Sequence, residues 1–508
     1  MQHLRIKRNN KTGFFPLMLL ISLFLISSNI RAEKPNVLLI FSDDLNTRIG
    51  PYMNIDKHTP NLDRLADMGI RFTRTYAQYP ICGPSRASIM SGLYPETNGV
   101  LNNNDEPGSY KKETPALANH PSLAGLFRNN GYFTARVSKI FHMGVPGGIE
   151  RGAIGGDIPE AWDYAYNVMG PETQSPGELE LLSPKFHHYG ANFAQMIIED
   201  KYEETQTDYI AASQAIAILE SRAAKVPDKA TNKVKIKPDD PFFLAVGFVR
   251  PHVPLVAPRN CFEPYPYEEM TLPPGIVSDN VPEQALRRQN KKIWGMSKTQ
   301  QKKVISGYMA SVRFMDQQVG RLMNALDRLD LRDNTMVIFL SDHGYNLGEH
   351  KCWSKISLWE GSVRVPMIIS SPFHEDGYGT KNATVIELID LYPTITEICG
   401  MDELQPDNLQ GKSLLPILEG KKMDVKNSIA YTITRGNGRT IRTKRWRYTR
   451  WGDEANISNE ELYDHQDDPE EHNNLIMNSD YEEVIKRMRN LFDKRKRNAM
   501  EGLAKMDS

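Results

Sequence analysis

The residues best suited to chemistry in this chain lie in a short segment around Cys82. The sequence there reads Cys82-Gly-Pro-Ser-Arg86 and continues to Gly92, in a segment that looks like the start of a helix. A cysteine of this kind is either an ordinary buried residue or, at a helix N-terminus, a thiolate with a lowered pKa. Cys82 is therefore a candidate nucleophile.

Two pairs of polar residues each follow a predicted buried strand. Asp43-Asp44 comes directly after the apolar run 36–42, and Asp342-His343 comes after the run 336–340. Oxygen-rich clusters suit hard divalent cations such as Ca²⁺ or Mg²⁺ better than zinc. Either pair alone is more typical of a helix cap or a turn, but the two together indicate a metal site.

Basic side chains also follow predicted strands. Lys139 and His142 come after the run 132–137, and His252 comes after the run 242–249 within a Pro-His-Val-Pro segment. Taken singly, such lysines are usually solvent-exposed and such histidines usually make ordinary polar contacts. Their positions after strands favour a functional role.

The elements that must position these residues alternate along the chain. Continuous apolar runs rich in β-branched residues predict buried parallel strands at 36–42, 132–137, 242–249, 336–340 and 366–369. Apolar residues at helical spacing predict amphipathic helices near 209–219 and 304–326. This alternation predicts an open α/β sheet, whose sites form at the carboxyl ends of its strands.

Composition narrows the class of protein. The chain has 508 residues, 40% of them hydrophobic, and a formal net charge of −1. That is enough apolar sequence for a sizeable core, and it provides no global basic field for nucleic-acid binding. The cysteines, which are too few for a disulfide scaffold, are Cys82, Cys261, Cys352 and Cys399.

The two ends of the chain differ from the middle in their residue composition and in the elements that they predict. Residues 1–32 contain basic residues, an apolar run at 14–26 and then Ala32, which predicts a secretory signal peptide. The alternative is an uncleaved membrane anchor, although the run is shorter than the roughly 20 residues that a spanning helix needs.

We predict an α/β catalytic domain at 33–424 and a small C-terminal subdomain at 425–508, with short strands and a helix. The basic residues of 435–450 predict a sheet edge that faces solvent or an anionic glycan.

The chain resembles the type I, formylglycine-dependent sulfatases over nearly its whole length after residue 32. The stretches that carry the resemblance are Cys-Gly-Pro-Ser-Arg at 82–86, Asn-Val-Leu-Leu-Ile-Phe-Ser-Asp-Asp at 36–44, Thr-Pro-Asn-Leu-Asp-Arg-Leu-Ala at 59–66, Ser-Lys-Ile-Phe-His at 138–142, Arg-Pro-His-Val-Pro at 250–254, Ser-Asp-His-Gly at 341–344 and Glu-Leu-Tyr-Asp at 461–464. Within that family it is most similar to the iduronate-2-sulfatase branch, because His343 stands where many type I sulfatases have Asn.

This resemblance implies a fold and a modification. The fold is the alkaline-phosphatase-like α/β sandwich, with a large, mostly parallel central sheet flanked by helices and a small C-terminal antiparallel sheet with a helix. The modification is oxidation of Cys82 to Cα-formylglycine by a formylglycine-generating enzyme or an anaerobic sulfatase-maturating enzyme. The resemblance also implies one bound Ca²⁺, with ligands from Asp43, Asp44, the modified Cys82, Asp342 and His343.

Roles for the remaining residues follow from the same resemblance. The hydrated aldehyde at position 82 attacks sulfur, and Arg86 lies against the diol and the metal. Lys139 and Lys355 hold sulfate oxygens, and Lys355 follows Trp-Ser in the sequence. His252 contacts the substrate and protonates the leaving oxygen, while His142 helps the sulfated hemiacetal to collapse and release sulfate.

The function that we expect is therefore calcium-dependent hydrolysis of a sulfate ester on a sugar or polysaccharide. The iduronate-type resemblance suggests a 2-O-sulfated uronate, and related bacterial enzymes also act on algal polysaccharides. The protein would be exported, to the periplasm or outside a bacterial cell, or to a lysosome or the exterior of a eukaryotic one, without stable membrane insertion. The alternatives are a phosphate or phosphonate monoester hydrolase of the same superfamily, or a non-catalytic glycan-binding protein with unmodified Cys82.

Overall fold

The computed structural model describes residues 34–53, 59–185, 187–224, 240–289, 294–421 and 428–504. The predicted signal peptide at 1–32 lies outside these residues. The chain from Lys34 onward folds as one unit, and residues 422–427, around the predicted boundary at 425, are not described. The division at 425 therefore stays a prediction.

The strands belong to a large central sheet and to smaller sheets beside it. In chain order they are β1 Asn36–Ser42, β2 Ile70–Tyr76, β3 Phe133–Ser138, β4 Tyr164–Tyr166, β5 Gly177–Leu181, β6 Ala194–Ile198, β7 Phe242–Gly247, β8 Leu255–Pro258, β9 Thr335–Ser341, β10 Asn346–Leu347, β11 Trp353–Ser354, β12 Arg364–Ser370, β13 Lys381–Asn382, β14 Ile386–Glu387, β15 Ala430–Thr434, β16 Gly438–Arg442, β17 Trp446–Trp451 and β18 Glu460–Asp464.

The helices flank the central sheet or pack on its ends. In chain order they are α1 Gly50–Met53, α2 Pro60–Asp67, α3 Cys82–Ser91, α4 Pro95–Asn98, α5 Ser109–Glu113, α6 Leu123–Asn129, α7 Gly147–Glu150, α8 Thr207–Ala223, α9 Arg259–Phe262, α10 Lys298–Arg328, α11 Glu360–Val363, α12 Leu391–Ile398, α13 Leu415–Leu418 and α14 Glu482–Ala504.

The central sheet has the strand order β13-β2-β12-β9-β1-β7-β3-β4, with β14 also paired to β2. The neighbours from β9 to β4 are parallel, which confirms the predicted large, mostly parallel sheet. The run 366–369 lies in β12, however, which is antiparallel to both neighbours. Its direction follows from the bond between Gly344 N and Ser362 O at 2.8 Å. Because the chain is still beside the carboxyl end of β9 at Ser362, it enters the sheet from that edge.

Helices cover both faces of this sheet. Along β1, Leu38 and Ile40 pack with α2, α8 and α10, whereas Val37, Leu39 and Phe41 pack with α3, α6 and α12. This alternation follows from the two-residue period of a strand that is buried on both faces. The predicted α/β sandwich is confirmed.

A second sheet lies at the C-terminal end of the chain. Its order is β15-β16-β17-β18 and its pairs are antiparallel, with α14 packed on it. The predicted small C-terminal antiparallel sheet with a helix is thus confirmed, with β18 as an added strand. The expectation of a solvent-facing basic edge is wrong for three arginines, since Arg442, Arg447 and Arg450 are buried. They pair with glutamates at Glu360, Glu471 and Glu460.

Candidate active site

Four neighbouring parallel strands end at the candidate site. Register pairs Ser42 of β1 with Ser341 of β9, and Ser138 of β3 with Gly247 of β7. The segments that follow these strands carry Asp43-Asp44, Asp342-His343, Lys139 and His252. Parallel strands bring their carboxyl ends to one edge, so residues far apart in sequence meet there. A glycine at position 247 lets the backbone of β7 come close to the backbone of Lys139, because a Cβ at that position would lie 2.0 Å from the Lys139 carbonyl oxygen.

Cys82 is the first residue of α3, and every residue of this helix is buried. Its Sγ lies 3.3 Å from His343 Nε2 and 3.3 Å from Lys355 Nζ. Asp44 Oδ1 is 3.9 Å away. Burial and Asp43 oppose ionisation of the thiol, but Lys355 and Lys139 outweigh them and lower its pKa. Position 82 therefore lies among groups that stabilise an anion, at a helix N-terminus that does the same.

A compact group of ligand atoms lies beside Cys82. One ligand atom from each of four residues falls within 4.8 Å of the others, and these residues are Asp43, Asp44, Cys82 and His343. His343 Nδ1 is 2.9 Å from Gly344 O, so Nε2 is the nitrogen that faces the group. Burial opposes the imidazolium form, but Asp342, Cys82 and Asp44 outweigh it and raise the pKa of His343 to about 9; a bound cation would take the place of the Nε2 proton. The expected ligands other than Asp342 thus converge directly.

Asp342 lies at the edge of this group. Its Oδ1 accepts hydrogen bonds from His343 N at 2.9 Å and Asp44 N at 3.2 Å, and it is 3.8 Å from His343 Nε2. Its Oδ2 accepts a bond from Arg86 Nε at 2.7 Å. Arg86 also contacts Asp43 Oδ1 at 3.5 Å. Asp342 therefore links the ligand group to Arg86.

The ligand group fits a hard divalent cation. Asp43 Oδ1 and Asp44 Oδ2 are buried and, among the described residues, accept no hydrogen bond. Burial outweighs Lys355 and His343 at Asp44 and raises its pKa to about 7. The neighbouring positive charge is therefore too weak to offset the burial of the ionised Asp44, and a bound cation would supply the missing stabilisation. Carboxylate oxygens are the donors that Ca²⁺ and Mg²⁺ prefer.

Two lysines point into the same space. Lys139 Nζ lies 2.5 Å from Asp43 Oδ2, and Lys355 Nζ lies 2.6 Å from Asp44 Oδ1. Both side chains are buried, so their charges are poorly screened by water. Burial disfavours the Lys355 ammonium, yet attraction to Asp44 and Cys82 outweighs burial and raises its pKa above the usual value. Lys355 therefore stays cationic at the site.

Backbone conformation at this edge is unusual. Asp44, Ser138, Ser354 and Ile356 all have positive φ, at 66°, 63°, 72° and 73°. Side chains other than glycine rarely adopt this region, and a β-branched residue such as Ile356 does so at a cost of about 1–3 kcal/mol. Ile356 N donates to Pro80 O at 3.1 Å, which ties the Lys355 turn to the segment before Cys82. Ser138 directly precedes Lys139, and Ser354 and Ile356 flank Lys355, so this backbone conformation occurs beside both lysines.

The two histidines differ in their place at the site. His252 Nδ1 is 2.6 Å from Val253 O, and its Nε2 is 3.7 Å from Asp44 Oδ2, so His252 belongs to the group. His142 contacts none of the predicted ligands; its Nε2 faces Asp105 Oδ1 at 3.5 Å. Burial, with neighbouring lysines, lowers the pKa of His252 well below its usual value and that of His142 to about 3. Both rings are neutral at neutral pH.

Sequence reasoning missed the residues that support these histidines. Asp208 accepts bonds from Val249 N and Arg250 N at 2.8 and 3.0 Å. Arg250 Nη2 donates hydrogen bonds to both carboxylate oxygens of Glu172, at 2.8 and 2.7 Å. These carboxylates hold the loop that carries His252. No local motif marks Glu172, Asp208 or Asp105, since each acts through a partner distant in the chain.

The cysteines outside the site, Cys261, Cys352 and Cys399, are buried and are not joined in disulfides. Within the described part of the chain, none of the helices has both the length and the apolar character needed to cross a bilayer.

Comparison with known proteins gives the family. The family model "Sulfatase" matches residues 35–401, and the model "N-sulphoglucosamine sulphohydrolase, C-terminal" matches residues 348–498. A sulfatase of Formosa agariphila is 30% identical over 477 residues, covering 91% of this chain and 87% of that protein. Human iduronate 2-sulfatase is 30% identical over 410 residues, covering 77% of this chain and 70% of that protein.

Among solved structures, the phosphonate monoester hydrolase of Agrobacterium radiobacter has a similar fold. The TM-score is 0.67 at 21% identity, with 93% of this chain and 97% of that chain covered. At this identity the likeness bears on the fold alone. The family model covers most of the chain, and its match includes the strand ends and the helix that build the site. The chain belongs to the sulfatase family and is a sulfuric ester hydrolase.

Proposed function

We propose that this protein removes sulfate from a sulfated sugar or polysaccharide, using Ca²⁺ and a formylglycine at position 82. The observation that carries the proposal is the position of Cys82 Sγ, 3.3 Å from both His343 Nε2 and Lys355 Nζ and next to the carboxylates. A side chain at this position can meet a cation and an incoming anion at the same time.

Asp43, Asp44, Asp342, His343 and residue 82 are the residues that would hold Ca²⁺. Together, the cation and the hydrated aldehyde would supply an acidified hydroxyl nucleophile and charge stabilisation next to sulfur. Arg86, buried against Asp342 and Asp43, orients both carboxylates. Burial opposes ionisation of Asp43, but Lys139 and, more weakly, Arg86 outweigh it and lower its pKa. A cationic neighbour of this kind favours the charged form of a buried carboxyl group.

Lys139 and Lys355 are suited to bind the sulfate group. Their ammonium groups flank Cys82 from the β3 side and the β11 side, in contact with Asp43 and Asp44 respectively. A sulfate ester carries negative charge that spreads onto the leaving oxygen as the S–O bond breaks. Two buried cations placed before the reaction stabilise that charge without reorganising.

His252 is suited to handle the proton of the leaving oxygen. Its Nδ1–H donates to Val253 O, so Nε2 is the nitrogen that faces the reaction centre. A bound sulfate anion beside His252 would favour the protonated ring, since a nearby negative charge raises the pKa of histidine. Nε2–H could then protonate a sugar oxygen, which is a poor leaving group when unprotonated.

We propose a 2-O-sulfated uronate as the substrate and an exported location for the protein. The likeness to human iduronate 2-sulfatase supports the first, and the predicted signal peptide at 1–32 supports the second. A formylglycine-generating or anaerobic sulfatase-maturating enzyme would act on the chain before use.

Two measurements test the proposal. Mass spectrometry of the peptide that contains Cys82 should show a loss of about 18 Da relative to cysteine. The same preparation, with Ca²⁺, should release sulfate from sulfated disaccharides that carry a 2-O-sulfated uronate, and Cys82→Ala should release none. Cys261→Ala, at a buried cysteine outside the site, is the matched control. An unmodified thiol in an active preparation would contradict the mechanism.

A second candidate is hydrolysis of phosphate or phosphonate monoesters. The similar fold of a phosphonate monoester hydrolase favours it as the alternative. Comparing kcat/KM for matched aryl sulfate and aryl phosphonate esters separates the two. A preference for the phosphonate would replace the sulfatase proposal. An unmodified, inactive protein that binds sulfated glycans would instead indicate a binding protein.

A further inference from the structure

We propose that Asp105 is a positioning residue for His142, which keeps the ring proton on Nε2 and leaves Nδ1 to accept a proton at the reaction centre. The proposal rests on the proposed function and on the role that the family resemblance implies for His142, which is to help release sulfate from residue 82. It concerns a carboxylate on the loop between α4 and α5, a part of the chain that has no other assigned role.

The two ring nitrogens of His142 have different surroundings. Nε2 lies 3.5 Å from Asp105 Oδ1, where the Asp105 side chain is 62% exposed and that of His142 is 11% exposed. Nδ1 is buried and, among the described residues, has no hydrogen-bond partner. The two nitrogens of an imidazole point in widely different directions. Nδ1 therefore lies on the buried side of the ring, and the site residues Lys139, Asp43 and Lys355 are near enough to act electrostatically on the ring.

The Asp105 carboxylate is held in place although it is exposed. The segment around it is anchored at both ends: Asn103 Oδ1 accepts from Gly83 N at 2.8 Å, and Gly108 N donates to Asp157 O at 2.7 Å. Asp105 also packs on the chain just after His142, because a Cβ at Gly144 would lie 3.1 Å from Asp105 Oδ2. These contacts keep the carboxylate beside the ring.

The backbone of His142 is fixed by a tight turn. Gly156 N donates to His142 O at 2.8 Å. Gly155 has φ +63°, and a Cβ there would lie 2.2 Å from the same carbonyl oxygen. A Cβ at Gly156 would lie 2.7 Å from Asn104 O, so this one turn packs against both His142 and the segment that holds Asp105. The distance between the two side chains is thus set by packing.

This arrangement selects one tautomer of a neutral ring. Burial and Lys139 disfavour the imidazolium form of His142, so the ring carries a single proton. The Asp105 carboxylate, whose Oδ1 lies 3.5 Å from Nε2, attracts that proton and has none to donate, which favours the proton on Nε2. The Nδ1 lone pair then remains on the buried side. A hydroxyl group at the reaction centre could pass its proton to Nδ1, with the electron pair of the O–H bond staying on oxygen.

Nitrogen chemical shifts of the ring test the tautomer without any turnover. The protein is labelled with ¹⁵N-histidine, and the His142 signals are assigned by their loss in His142→Gln. We expect an Nε2–H tautomer in the wild type and in Asp105→Glu, and a shift toward Nδ1–H in Asp105→Asn. Glu106→Gln, a change at the neighbouring exposed acid that pairs with Lys112, should leave the signals unchanged. An Nδ1–H ring in the wild type, or no change in Asp105→Asn, would overturn the proposal.

Kinetics test whether the tautomer matters. With Ca²⁺ and equal formylglycine content, kcat for sulfate release should fall about tenfold in Asp105→Asn. This loss is smaller than the loss seen where a buried carboxylate sets the tautomer, because Asp105 is exposed to water. KM should change by less than about twofold, Asp105→Glu should recover most of kcat, and Glu106→Gln should match the wild type. An unchanged kcat in Asp105→Asn would overturn the positioning role. If the wild type hydrolyses no sulfate ester, the proposed function fails, while the ring signals still decide whether Asp105 sets the tautomer.

Discussion

Arg86 Nε donates a hydrogen bond to Asp342 Oδ2 at 2.7 Å, and both side chains are fully buried. This pair joins the helix that begins at Cys82 to the strand end that carries His343. It therefore holds the reactive position and the ligand group in one rigid arrangement, across a sequence separation of 256 residues. Arg86 is a residue on which stability and activity both depend.

We expect Arg86→Met to destabilise the protein by about 3–5 kcal/mol, because Asp342 and Asp43 would keep buried charges without their partner. The free energy of unfolding from urea denaturation measures this effect. The control is Arg64→Met, which breaks a partly exposed pair with Asp327 and should cost no more than about 1 kcal/mol. A loss at Arg86 no larger than at Arg64 would contradict the structural role.

We expect removal of Ca²⁺ to lower thermal stability as well as activity. A cation that binds only the folded state at about 100 times its Kd contributes about 2.7 kcal/mol. Dialysis against a chelator should lower Tm by a few degrees, and added Ca²⁺ should restore both Tm and sulfate release. In Asp44→Asn the chelator should have little further effect, whereas the exposed Asp333→Asn should respond like the wild type. A Tm that does not change on dialysis against the chelator would argue against a resident cation.

His252→Ala should affect substrates according to their leaving groups. If His252 protonates the leaving oxygen, kcat/KM for a sugar sulfate should fall by about 10²–10⁴. A nitrophenyl sulfate, whose leaving group needs no proton, should lose much less. His374→Ala is the control, since His374 follows the end of antiparallel β12, at the opposite edge of the sheet. Equal losses on both substrates would rule out the acid role.

The acid stability of the protein should depend on Glu471. Burial opposes ionisation of Glu471, but Arg447 and a hydrogen bond from His465 outweigh burial and lower its pKa to about 2. Since the folded pKa lies below the unfolded value of about 4.3, this stabilisation is complete above about pH 4.3. It is lost as the pH falls toward about 2.

Glu471→Gln should therefore lower stability near neutral pH and flatten its dependence on pH between about pH 5 and pH 3. Urea midpoints across that range provide the measurement. The exposed Glu403→Gln should keep the slope of the wild type. If Glu471→Gln lost stability as steeply as the wild type below pH 5, the paired carboxylate would not be the cause.

Much of the fold was predictable because strands buried on both faces leave a local signature. The apolar run of β1 and the helical period of α10 each predict an element without reference to the rest of the chain. The antiparallel direction of β12 was not predictable, because it depends on the edge of the sheet from which the chain enters this strand. The prediction for the arginines of β16 and β17 was wrong for a related reason: basic residues in a predicted strand do not by themselves reveal distant partners such as Glu360 and Glu471.

The candidate site shows the same division. By itself the sequence determined which residue types are available: Cys82 at a helix start, Asp43-Asp44 and Asp342-His343 after strands, and basic residues after others. Tertiary structure decided how they meet. Only the parallel register of β9, β1, β7 and β3 brings these strand ends to one edge, and only packing puts Asp105 beside His142. Local patterns specify elements, whereas distances between atoms far apart in the chain arise from packing, which no local pattern records.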